Sequence, residues 1–68
     1  MNDITKLTPT QCAVILALAD NRMIPTAAAK KLCYHRNTIL FHVDRIKKLT
    51  GKNPLNFYDL IELVQIVK

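Results

Sequence analysis

The sequence predicts an all-α domain of four short helices, and three observations lead there. Apolar residues recur at helical spacing through most of the 68 residues, with half of the chain apolar. A single glycine and three prolines leave room for few turns. Helix-start and helix-stop residues also fall at intervals that suit elements of about two to four turns. A chain this short buries only about 60% of the surface its unfolded form exposes, so a large core is out of reach.

Residues 1–7 lack periodicity and are expected to form a flexible N-terminus, with Leu7 as an anchor; the domain proper is expected over 8–68. Thr8-Pro9-Thr10-Gln11 is a helix start in which Thr8 and Gln11 cap each other's backbone N–H groups and Pro9 sits where none is needed. Leu7 and Cys12 stand at the staple positions of this start. The first helix should run over 9–19, and its interior, CAVILALA, is apolar nearly all round, which implies neighbours on several sides. Met23, Ile24 and Pro25 read as a connector. Thr26 is the expected N-cap of a short helix over 27–32 or 27–33, where three alanines allow a close crossing. Leu32 points to the core and Tyr34 fills the corner that follows.

The next helix, 36–50, is two-faced. At 100° per residue Ile39, Val43, Ile46 and Thr50 share one arc with Leu49 at its edge, while Asn37, Phe41, Asp44, Arg45 and Lys48 share the other. His35 falls at its start, for capping or core duty, and His42 leans to the apolar edge. Lys47, Lys48 and Gly51 close it. Pro54 blocks continuation through 52–55, and Asn56 can cap a last helix whose positive end Asp59 favours. In that helix Phe57, Leu60, Ile61, Val64 and Val67 form the expected core stripe. Leu63 and Ile66 form a second strip, covered by the first helix or used as a homodimer contact.

Residues 26–51, TAAAKKLCYHRNTILFHVDRIKKLTG, therefore read as a helix-turn-helix unit. Between Lys30 and Lys52 lie seven basic residues against one acid, Asp44; that window carries +6, and the rest of the chain sums to −1. Such a concentration suits a polyanion, because phosphate neutralisation supplies most non-specific nucleic-acid affinity. Arg36, Asn37, Thr38, Phe41 and Arg45 are the expected major-groove and near-groove residues. Arginine and asparagine match guanine and adenine edges, and Phe41 can pack on a thymine methyl or the sugar backbone. Lys30, Lys31, Lys47, Lys48 and Lys52 are the expected phosphate contacts, although for Lys30 and Lys31 plain solvation is an equal alternative. Asp44 would repel phosphate unless it pairs with Lys48 four residues on or accepts from a cytosine amino group; the pair is preferred.

The run from Ala29 to Gly51, AKKLCYHRNTILFHVDRIKKLTG, resembles the C-terminal helix-turn-helix domain of the PucR-type regulators, the purine-catabolism and sugar-diacid activators of bacteria. Leu32, His35, Arg36, Asn37, Thr38, Ile39, Val43, Arg45, Ile46, Leu49, Thr50 and Gly51 carry the likeness, which with the flanking helices covers residues 8–67. Members typically show Arg-Tyr-Arg where this chain has Leu40, Phe41 and His42, so two cationic side chains are absent. A more distant likeness is to the C-terminal helix pair of the factor-for-inversion family. The resemblance implies a homeodomain-like or factor-for-inversion-like fold and the role of DNA-binding domain in a bacterial transcription regulator. It also implies an effector-sensing region in front, so the chain is expected to be an excised piece or a stand-alone small regulator.

Other classes fare worse. Serine is absent, acids are few and scattered, and no glycine-rich loop exists to hold a cofactor, so no enzyme, cofactor or small-molecule ligand is expected. Cys12 and Cys33 are each inside an expected helix and read as small buried hydrophobes, with no metal site. No signal-peptide core or membrane span of ~18 apolar residues occurs, which predicts a cytoplasmic protein, nucleoid-associated when bound. The alternative is a helical interaction module whose basic face docks an acidic protein.

Overall fold

The computed structural model describes residues 7–67, and these form four α-helices: α1 Pro9–Asp20, α2 Pro25–Leu32, α3 Arg36–Thr50 and α4 Phe57–Val67. The flexibility expected for the N-terminus falls, Leu7 apart, outside the described residues. Leu7 itself is half-buried and packs against the core, so the folded unit reaches it.

α1 is the hub, because it packs against each of the other three helices. Its start is the expected capping box: the Gln11 N–H donates to Thr8 Oγ1 at 3.1 Å and the Thr8 N–H donates to Gln11 Oε1 at 3.0 Å. Val14, Ile15, Ala17 and Leu18 are buried on it and meet Ala28 and Ala29 of α2, Ile39, Val43 and Ile46 of α3, and Leu60 and Leu63 of α4. The two buried alanines are what lets α3 cross close to α2.

α2 begins two residues earlier than the sequence suggests. Pro25 takes the first helical position, where its fixed φ is already helical and its missing N–H costs nothing. Ile24 is therefore the N-cap, extended as a residue before proline must be, and Thr26 caps nothing.

Left-handed residues close the first two helices without glycine: Arg22 (φ 59°) and Met23 (φ 62°) after α1, Cys33 (φ 60°) after α2. The Tyr34 N–H donates to Ala29 O at 2.8 Å and the Cys33 N–H to Lys30 O at 3.2 Å, the paired bonds of a Schellman close. Cys33 is thus exposed at the corner, outside the helix, and not the buried hydrophobe expected; Cys12 is half-buried, and both thiols are free. The corner chemistry demands αL geometry, and its carbonyl caps outweigh burial of one small side chain. Cys33→Gly should relieve that backbone cost with no packing loss and stabilise the domain by about 0.5–1 kcal/mol. A thermal melt checks this; an unchanged or lower midpoint contradicts it.

Tyr34 does not fill the corner either. It is 38% exposed, with its ring 6.4 Å from that of His42.

α3 ends as expected on Gly51 (φ 72°), whose N–H donates to Lys47 O at 2.8 Å. Buried Thr50 satisfies its hydroxyl by donating to Ile46 O at 2.8 Å. Beyond it the chain is pinned to α4. Pro54 is fully buried, the Asn53 N–H donates to Asp59 Oδ2 at 3.0 Å, and Asn56 Oδ1 accepts from the N–H groups of Tyr58 and Asp59. Lys52 Nζ sits 2.6 Å from Glu62 Oε2, and this hydrogen bond holds the lysine pKa above its ordinary value. A raised pKa adds stability that is present across neutral pH and is lost only as pH rises through the lysine range.

α4 is rotated from the expected stripe. Leu60 and Leu63 are buried and Val64 and Val67 pack on the core, whereas Phe57 is 57% exposed and Ile61 40%. Two adjacent apolar strips offered the helix two ways to turn, and α1 takes the one carrying Leu63. Of the two readings of the second strip, cover by the first helix holds for Leu63, which is fully buried within its own chain and is not free to be a dimer contact; Ile66 stays exposed.

Candidate nucleic-acid interface

α3 divides as its sequence divides. Ile39, Val43, Ile46 and Thr50 are buried against α1 and α2, while Arg36, Asn37, Phe41, Asp44, Arg45, Lys47 and Lys48 are exposed. The presented face is therefore covered by none of the described residues. An α-helix about 10–12 Å across its side chains matches a major groove about 12 Å wide, provided that one side is left free.

The helix start is built by His35, whose Nδ1 accepts the Asn37 N–H at 3.1 Å. His35 is exposed, so its role is the cap and not core filling. That cap fixes the first turn and holds Arg36 and Asn37 at its outer side, where N-terminal residues of a recognition helix meet base edges. Thr38 is only half-presented.

One turn on, the Arg45 guanidinium lies over the Phe41 ring, 5.3 Å from its centroid. The arrangement limits the arginine's freedom on an exposed surface and aims a flat donor fork outward beside an apolar ring. The His42 ring meets Phe41 edge-on at 5.4 Å and lies near Tyr34, forming an aromatic margin toward the corner. Its Nδ1 is buried without a hydrogen-bond partner among the described residues.

The charges are unequal in availability. Lys30 and Lys31 are exposed in the last turn of α2, where they also complement the helix dipole. Lys48 pairs with Asp44 at 3.1 Å, as preferred from the sequence. Both side chains are mostly exposed, so that bond is worth at most about 1 kcal/mol and is easily exchanged for a phosphate. Lys52 Nζ is paired as well, with Glu62 at 2.6 Å, a contact that ties the post-α3 loop to α4.

Two residues that the sequence marks only as a helix start also reach this side. Thr8 and Gln11, at the start of α1, line a cleft with Arg45, Lys48 and Leu49. Their spacing signals only a helix start; no local pattern connects them to residues more than thirty positions away. Among the described residues no group of three or more His, Cys, Asp or Glu side chains could hold a metal ion, and no helix is long and apolar enough to cross a membrane.

A helix pair with a tight left-handed corner, its second helix inward on one side and basic on the other, packed beneath a capping first helix, defines a helix-turn-helix domain. The family model of the PucR C-terminal helix-turn-helix domain matches residues 11–65, and the chain belongs to that family. This is a family of regulator domains and not a class of enzymes. Searches of curated proteins and of solved structures returned no match.

Proposed function

We propose that this domain binds double-stranded DNA sequence-specifically, with α3 in the major groove, as the DNA-binding part of a transcription regulator. The observation that carries this reading is the free outer face of α3, where Asn37, Phe41 and Arg45 stand on a helix whose other side is locked into the core. Arg36, Asn37 and Arg45 read base edges, Phe41 supplies an apolar contact, and Thr38 borders the groove. Lys30, Lys31, Lys47 and Lys48 meet the backbone on either side.

The basic window gives the reading its energetic logic. Each lysine that neutralises a phosphate releases counterions, so affinity must fall steeply with salt. Titrating a random-sequence duplex at two salt concentrations tests this. Binding that weakens steeply with added salt is expected, and Lys47→Ala should weaken all sequences alike and reduce the slope of log affinity against log salt by about 1. Salt-insensitive association, or none, contradicts the reading and favours docking of the basic face on an acidic protein.

A further inference from the structure

The cleft between the start of α1 and the last turns of α3 is a second feature of the basic side, formed where the helix-turn-helix pair meets the helix before it. It has a volume of about 350 Å³ and is lined by Thr8, Gln11, Arg45, Lys48 and Leu49. Two cations of α3 face it, and the positive end of the 12-residue α1 opens at its edge.

Gln11 gives the cleft a polar floor. The residue is only 7% exposed, and the capping box occupies its Oε1 with the Thr8 N–H. Its Nε2, with two N–H donors, has no hydrogen-bond partner among the described residues. Thr8 Oγ1 accepts from the Gln11 N–H, which leaves its own proton free to donate. Among the described residues, the Gln11 amide and the Thr8 hydroxyl therefore offer free donors beside the two cations. Among the described residues, Asp44 holds Lys48 through an exposed contact that is cheap to exchange.

We propose that this cleft binds one phosphodiester of the DNA backbone, held by Lys48 and the Gln11 side-chain amide at the positive end of α1. The assignment rests on the DNA-binding reading and extends it. Arg45, over Phe41 on the groove side of the cleft, places this phosphate beside the base pair that Arg45 reads. α1 is then both the hub of the fold and a clamp that fixes how α3 lies in the groove, since one anchored phosphate sets register and orientation.

Gln11→Glu separates the two roles of this residue. A glutamate still accepts the Thr8 N–H, so the capping box survives and the melting midpoint should hold or rise. The donor, however, becomes an anion facing the phosphate, and affinity for a short random-sequence duplex should fall about five- to tenfold. Single neutral methylphosphonates scanned along the duplex should reveal one position that weakens the wild type and has no effect on Gln11→Glu. In the wild type, the Gln11 side-chain amide resonances should shift when duplex is added. Wild-type affinity in Gln11→Glu, an unchanged phosphate profile, or unmoved amide resonances on a duplex that binds would overturn the cleft alone. Resonances moved by inorganic phosphate but not by duplex would assign the cleft to a free anion and overturn it too. A wild type that binds no duplex would remove the DNA-binding reading itself.

Discussion

Arg45→Ala is expected to weaken binding to a selected operator by about 1–3 kcal/mol, a loss of roughly five- to 150-fold, and to weaken random duplex much less. The asymmetry follows from where the side chain stands. Arg45 is exposed on the outer face of α3, and its contact with the free protein is the Phe41 ring at 5.3 Å. Losing an exposed cation–π contact costs stability only about 0.5–1 kcal/mol, so a large affinity loss would report the missing base contact and not an unfolded domain. Arg45→Lys sharpens the test, because a lysine keeps the charge and loses the planar fork. It should restore binding to random duplex while leaving operator discrimination impaired. Operator affinity equal to wild type in Arg45→Ala would remove this residue from the reading set.

Ile46→Ala probes the opposite face of the same helix. Ile46 is fully buried where α3 meets the core, and its truncation should cost about 2–5 kcal/mol from lost transfer energy and the cavity left behind. Alanine's better helix propensity returns only a few tenths of that. A 68-residue domain has a total stability of about 3–10 kcal/mol, so this single change consumes a large part of it. The midpoint of thermal unfolding should fall by about 10–40 °C. DNA affinity measured well below the midpoint should change little. A melt within a few degrees of wild type would mean that this face of α3 is not the one packed inward.

The contrast between those two positions was legible in the sequence, because it depends on periodicity within one helix. The capping box of Thr8 and Gln11 was legible for the same reason: both partners lie within four residues. Where two local signals competed, the sequence misled. Thr26 is a good N-cap and Pro25 a good first residue; the proline's fixed φ decides between them, and Ile24 becomes the cap by default. Cys33 carries no mark of the left-handed geometry it adopts, since a Schellman close normally advertises itself by glycine.

What depended on a neighbour was not legible. The rotation of α4, which buries Leu63 and exposes Phe57 and Ile61, is set by α1 and not by the helix's own pattern. Lys52 reads as one more cation of a basic run, and only the approach of Glu62, ten residues on, shows that it is paired. The cleft that joins Gln11 to Lys48 likewise exists only once α1 and α3 are packed.

The central claim is that the outward face of α3 is what DNA touches, and amide chemical-shift mapping during titration with a selected duplex tests it most directly. The account predicts that the largest changes fall on Arg36 to Lys48 at the exposed positions Asn37, Phe41 and Arg45, with smaller ones at the start of α1. Changes centred instead on Phe57, Ile61 and the rest of α4, with Asn37, Phe41 and Arg45 unmoved, would contradict it.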